Sequence, residues 1–166
     1  MKAFKLILPL IALCFSTSLV CAQEIVRTYP MNEIQTLGTT IALDKYQTSD
    51  GNGSIKISSI RPITICLGEV TKLEIEESEV VYKAVVKSED LDGTAFLEMW
   101  CTINGKSFFS RGLTSTISGK SDWKEISTPF SVKKGEKIDK ISFSIVLNGR
   151  GTIWIDGVKL LKSRLK

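Results

Sequence analysis

Apolar and polar residues alternate with a period of two along most of this chain, and no long stretch places apolar residues at helical spacing. In the run Val80–Lys87 the even positions Val80, Tyr82, Ala84 and Val86 form an apolar set, expected to face a core, while Val81, Lys83, Val85 and Lys87 fall on the other side. From Ala95 to Ile103 the set Ala95, Leu97, Met99, Cys101 and Ile103 alternates with Phe96, Glu98, Trp100 and Thr102. From Ile141 to Leu147 the set Ile141, Phe143, Ile145 and Leu147 alternates with Ser142, Ser144 and Val146, which is the cleanest half-buried strand pattern in the chain. Turn signals separate these runs: Asp50-Gly51-Asn52-Gly53, Asp92-Gly93, Asn104-Gly105, Lys134-Gly135-Glu136 and Asn148-Gly149-Arg150-Gly151. Asn104-Gly105 has the form of a two-residue hairpin turn. The Ser-, Thr- and Gly-rich stretch from Gly112 to Lys120 reads as a loop, and Gln23 to Thr36 as a short tail followed by a first strand. Many short strands with this punctuation predict an all-β sandwich or barrel. With no internal repeat and no linker, one domain is expected.

The N-terminus departs from this pattern. Lys2 and Lys5 precede an apolar run from Leu6 to Phe15, and small residues lead to Val20-Cys21-Ala22. This is the form of a signal peptide cleaved after Ala22, so residues 1–22 are assigned to the signal and 23–166 to a single β-sandwich domain. The apolar run is shorter than the roughly 20 residues a membrane helix needs, so no membrane span is expected after cleavage. The implied location is secreted or periplasmic. Lipid anchoring through Cys21 is disfavoured by Val20, where a small residue normally precedes the modified cysteine.

Cleavage lowers the net charge of +4 by two, because it removes Lys2 and Lys5 and no acid. That balance argues against a nucleic-acid partner. Of the four cysteines, Cys14 and Cys21 leave with the signal, so Cys66 and Cys101 remain. Two readings stand for these: one disulfide in an oxidising compartment, or two buried thiols. The chain contains no histidine, which removes the commonest general base and every Ser/His/Asp or Cys/His arrangement. No phosphate loop, dinucleotide fingerprint or zinc spacing occurs. Glu74, Glu76, Glu77 and Glu79 read as an acidic surface loop, and no catalytic residue is assigned.

The last third carries a recognisable pattern. Asp122-Trp123 opens a strand ending in Pro129-Phe130, and the chain closes on Gly151-Thr152-Ile153-Trp154-Ile155-Asp156-Gly157-Val158-Lys159-Leu160. Upstream, Asp50-Gly51-Asn52-Gly53-Ser54-Ile55-Lys56-Ile57 matches a second-strand pattern. Together these resemble the galactose-binding-like jelly rolls, the antiparallel β-sandwich shared by many carbohydrate-binding modules. Two features depart from that family. Its terminal Asp-Asp or Asp-Asn is Asp156-Gly157 here, and Thr28 to Tyr46 gives no clear first-strand match.

The resemblance implies a non-catalytic binding module for a glycan. The rival is an envelope structural domain that binds another protein through the same sandwich. It also implies a structural calcium held by Asp156 with Asp50, Gly51 and Ser54. Against the calcium stands the ordinary role of Asp-Gly as a turn. The ligand candidates are Phe96, Glu98, Trp100 and Tyr82, because flat aromatic faces stack on sugar rings while neighbouring polar groups take hydroxyls. If the Leu97 set faces the core, Trp100 and Phe96 look outward; otherwise they are themselves the core face. Phe108, Phe109 and Arg111 offer a further contact surface just after the hairpin signal. Trp123 is expected to seal an edge of the sandwich, and Trp154 to face away from Ile153 and Ile155.

Overall fold

A computed structural model describes residues 23–33 and 40–165. The expected signal segment, with Cys14 and Cys21, lies outside the described residues. Eight strands follow one another in it: β1 (Glu24–Tyr29), β2 (Ile41–Asp44), β3 (Ser54–Ser59), β4 (Ile63–Thr71), β5 (Ser78–Ile103), β6 (Lys106–Arg111), β7 (Ile117–Val132) and β8 (Ile138–Arg164). Every pairing is antiparallel. β5 and β8 are 26 and 27 residues long, far beyond the usual strand of about five or six. Each crosses from one layer of a sandwich to the other.

The first layer centres on residues 78–89 of β5, flanked by β7 and by residues 152–164 of β8. Beyond β8 lie β3 and then β2, with β1 continuing along the same edge of β8. The second layer places residues 94–103 of β5 between β6 and residues 138–148 of β8, with β4 outermost. The layers meet face to face. Tyr82 of the first packs on Phe143 of the second at 5.4 Å between ring centroids, and Tyr29 meets the same ring at 4.8 Å. The fold is an antiparallel β-sandwich of two layers joined by β5 and β8.

The apolar sets expected inward in Val80–Val86 and Ile141–Leu147 do face the core, and of the two faces left open in Ala95–Ile103 the Leu97 set is the inward one. Val80, Tyr82, Ala84 and Val86 are buried, as are Ala95 through Ile103 at every odd position and Ile141, Phe143, Ile145 and Leu147. Three expectations about the connections change. Asp92-Gly93 and Asn148-Gly149-Arg150-Gly151 are not turns between separate strands but the paired corner at which β5 and β8 change layer. There Gly93 lies opposite Gly149. A Cβ on Gly93 would sit 2.2 Å from the Asn148 carbonyl oxygen, and one on Gly149 2.0 Å from that of Asp92, so only glycine permits the approach. The third change concerns Gly112 to Lys120: β7 begins inside that stretch, because the buried Ile117 pairs with Ala95. Asn104-Gly105 forms the expected hairpin turn between β5 and β6, with φ of 50° and 73°.

Candidate functional site

The outer face of the second layer is built from four cross-strand rows. Reading from β4 through β8 and β5 to β6, one row is Cys66, Ser144, Glu98 and Arg111, and the next is Glu69, Ser142, Trp100 and Phe109. On one side they are flanked by Thr71, Lys140, Thr102 and Ser107, on the other by Thr64, Val146 and Phe96. Because the Leu97 set turns inward, the alternate residues of β5 look out, and one strand supplies Phe96, Glu98 and Trp100 to the same surface.

Those three residues differ in accessibility. Trp100 is 38% exposed and Phe96 only 7%. The Trp100 ring lies 5.2 Å from Phe109, its cross-strand neighbour, at an interplanar angle of 45°. The Arg111 guanidinium sits 5.0 Å from the Phe109 ring. Glu98, almost fully buried, organises the group. Its Oε1 accepts the indole N–H of Trp100 at 2.9 Å and its Oε2 accepts Nε–H of Arg111 at 2.5 Å. With its only polar atom engaged, Trp100 offers a ligand its apolar face. The result is an oriented aromatic platform with a guanidinium on one flank.

On the other flank stands Glu69, which the sequence did not mark. Its Oε1 accepts Ser142 Oγ at 2.8 Å and Lys140 Nζ at 3.2 Å. These two donors hold its carboxyl below the ordinary glutamate range. Strict alternation from Ile63 and Ile65 would have turned Glu69 inward. A bulge between Cys66 and Gly68 shifts the register by one residue and turns it out. Nothing in a single sequence announces that bulge beyond the presence of Gly68.

Tyr82 does not belong to this site. It is fully buried between the layers, and burial pushes its hydroxyl well above the ordinary tyrosine value. A ligand would reach it only by separating the two layers. The cysteines are likewise apart. Cys66 faces outward on β4 and is exposed, while Cys101 points into the core from β5, with a β8 segment between the two strands. Both thiols are free, so of the two readings the disulfide falls because the side chains leave opposite faces of the layer, and the pair of buried thiols holds for Cys101 alone. Burial raises the Cys101 thiol to about 12.

The residues considered for calcium do not fit a cation. Asp156 is fully buried, and its oxygens are turned to hydrogen-bond donors. Ser49 N and Oγ reach Oδ2 at 2.9 and 2.6 Å, and Gly157 N reaches Oδ1 at 2.7 Å. A cation needs those lone pairs free and several further oxygens around it. Instead, Asp50 Oδ1 accepts Asn52 N and Thr48 Oγ1, Ser54 Oγ donates to the Gln47 carbonyl, and Gly51 is exposed in the loop. Among the described residues, no three His, Cys, Asp or Glu side chains gather to hold a metal. Asp156 therefore acts as the anchor of the 44–54 loop.

Asp44 anchors the other end of that loop. It accepts the backbone N–H groups of Tyr46 and Gln47 and the indole N–H of Trp154 at 2.9 Å. Partial burial opposes its charge. The hydrogen bonds from Trp154, Gln47 and Tyr46, together with Lys56, outweigh that and hold the carboxyl below its ordinary value. Trp154 faces away from Ile153 and Ile155 as expected, yet it is buried, with Lys56 Nζ 5.4 Å from its ring. Trp123 is partly buried on β7. Phe108 and Phe109 are exposed on the edge strand β6.

No protein-family model matches this chain, and no curated protein does either. Solved structures do. The CBM22-1 xylan-binding domain of Paenibacillus barcinonensis Xyn10C superposes with a TM-score of 0.58 at 13% identity, covering 88% of this chain and 99% of that one. The C-terminal family 22 module of Clostridium thermocellum Xyn10B gives 0.55 at 10% identity, over 82% and 92% of the two chains. TmCBM61, solved with β-1,4-galactotriose, gives 0.50 at 12% identity, over 82% and 89%. At such identities the likeness is one of fold. This chain shares the galactose-binding-like jelly roll of these carbohydrate-binding modules.

Proposed function

We propose that this protein is an exported, non-catalytic module that binds a glycan on the outer face of its second layer. The observation that carries the reading is Trp100, a large apolar ring left open on a sheet face, tethered through its N–H to Glu98 and continued by Phe109. Stacking on such a ring, with polar groups alongside, is how proteins hold the C–H face of a sugar. Structures of the same fold include a xylan-binding domain and a galactotriose complex, which supports a carbohydrate as the ligand class. Export rests on the N-terminal signal pattern and a non-catalytic role on the absence of histidine. Among the described residues no helix is long and apolar enough to cross a membrane.

The test is affinity electrophoresis and calorimetry of the mature protein against a polysaccharide panel. At least one glycan should bind, and Trp100→Ala should weaken it about tenfold or more while circular dichroism stays unchanged. No binding across the panel, or a silent Trp100→Ala, refutes the reading. The exposed Phe108, Phe109 and Leu113 favour a second reading, docking to an envelope protein, which a partner co-purifying from the native envelope would support.

A further inference from the structure

We propose that Glu69 makes the Trp100 platform selective for uncharged sugars, its free carboxylate oxygen accepting a ligand hydroxyl and repelling carboxylated or sulfated residues. This rests on the glycan-binding reading above and names the ligand class within it.

Three observations lead to it. Glu69 stands in the same cross-strand row as Ser142, Trp100 and Phe109. Strands are spaced by about 4.8 Å, so Glu69 and Trp100, two strands apart, are separated by roughly 10 Å along the row. A sugar chain crossing the strands over Trp100 therefore meets Glu69 about two units further along. Second, Glu69 Oε1 takes both Ser142 and Lys140, which leaves Oε2 without a hydrogen bond among the described residues on a side chain that is 53% exposed. A carboxylate oxygen in that position makes a strong acceptor for an O–H and a poor neighbour for an anion. Third, the cationic charge of these rows is already balanced by carboxylates. The rows hold two cations, Lys140 and Arg111, and each is paired with a carboxylate of the same face, Glu69 and Glu98. The carboxyl of Glu69 is held below its ordinary range, so it is charged throughout the neutral region.

The test uses calorimetry with matched oligosaccharide pairs: cellohexaose and xylohexaose, each beside a counterpart bearing uronate groups on the same backbone. The wild type should bind a neutral member at least about tenfold more tightly than its acidic counterpart, a difference of roughly 1.4 kcal/mol. Glu69→Gln should weaken neutral binding about fivefold, through loss of a charge-assisted hydrogen bond, and bring the two members of a pair within about threefold of each other. Glu69 is exposed, so an unchanged melting temperature is expected to show that the variant folds. An acidic member that binds the wild type as tightly as its neutral counterpart overturns the inference and leaves glycan binding standing. Unaltered discrimination in Glu69→Gln also overturns it. Failure of every member to bind, together with no binding across the polysaccharide panel, removes the glycan reading itself, and this inference with it.

Discussion

Glu98 is a carboxylate taken almost wholly out of water, and its stability depends on one cation that is itself only half covered. The side chains of Glu98 and Arg111 are 8% and 46% exposed. Replacing Arg111 with alanine leaves Glu98 buried with a single donor, the Trp100 indole. Breaking a fully buried pair in this way costs about 3–5 kcal/mol. Solvent screening of the half-exposed guanidinium reduces that, and a loss of about 2 kcal/mol is expected for Arg111→Ala. Glu98→Gln behaves differently. The amide oxygen still accepts the Trp100 N–H, Arg111 turns to water, and the loss should be about 0.5–1 kcal/mol. In the double variant no unpaired charge remains. Its loss should return to about 1 kcal/mol instead of the 2.5–3 that independent effects would give. Urea unfolding followed by tryptophan fluorescence measures all three, provided that the midpoint moves and the slope stays constant. If Arg111→Ala costs no more than Glu98→Gln, or if the two changes add, Glu98 is hydrated and its role as the buried organiser of the platform is wrong.

Three further outcomes are expected. Gly149→Ala should prevent folding, with a loss above about 4 kcal/mol, because its Cβ would fall 2.0 Å from the Asp92 carbonyl oxygen at a φ of 155°; a soluble variant with a native circular dichroism spectrum would contradict the corner geometry. In native protein lacking residues 1–22, a thiol reagent should label Cys66 promptly and Cys101 only after denaturation, and reductant should leave the melting temperature unchanged. Calcium chelator should also leave the melting temperature unchanged, whereas Asp156→Ala, which strands the N–H groups of Ser49 and Gly157, should cost about 3 kcal/mol; calorimetry with and without chelator separates the two cases.

The strand faces of Val80–Val86 and Ile141–Leu147 were legible because burial on one side imposes a period of two, whereas Ala95–Ile103 carries apolar residues on both sides and its inward face stayed open. The hairpin at Asn104-Gly105 was legible because its left-handed backbone demands those residue types. The corner was not. Glycine beside Asp or Asn marks a tight turn and equally a place where two backbones touch, and only the pairing of Gly93 with Gly149 distinguishes them. Asp156 shows the same limit. A buried carboxylate at the end of a strand serves a cation or a set of N–H donors, and the choice lies with Ser49, more than a hundred positions away in sequence.

Aromatic exposure was the least legible property and the one on which function turns. Trp100 and Trp154 both alternate with inward residues of a strand, and parity sends both to an outer face. What differs is the neighbour on the far side. Trp154 lies against Lys56 and the Asp44 carboxylate at the start of the 44–54 loop, and is closed off from solvent. Trp100 is paired with Phe109 on β6, an edge strand that leaves its face uncovered. Both indole N–H groups donate to a carboxylate, so the hydrogen bond alone marks neither as a binding residue. At Trp154 the carboxylate comes from Asp44, the last residue of β2, which also holds the backbone of Tyr46 and Gln47. At Trp100 it comes from Glu98, two residues back on the same strand, and holds the ring by its N–H while the ring stays 38% exposed. The distinction between the sealed tryptophan and the exposed one therefore sits in which strand supplies the partner acid, β2 for Trp154 or the ring's own strand for Trp100, and that is set by tertiary pairing.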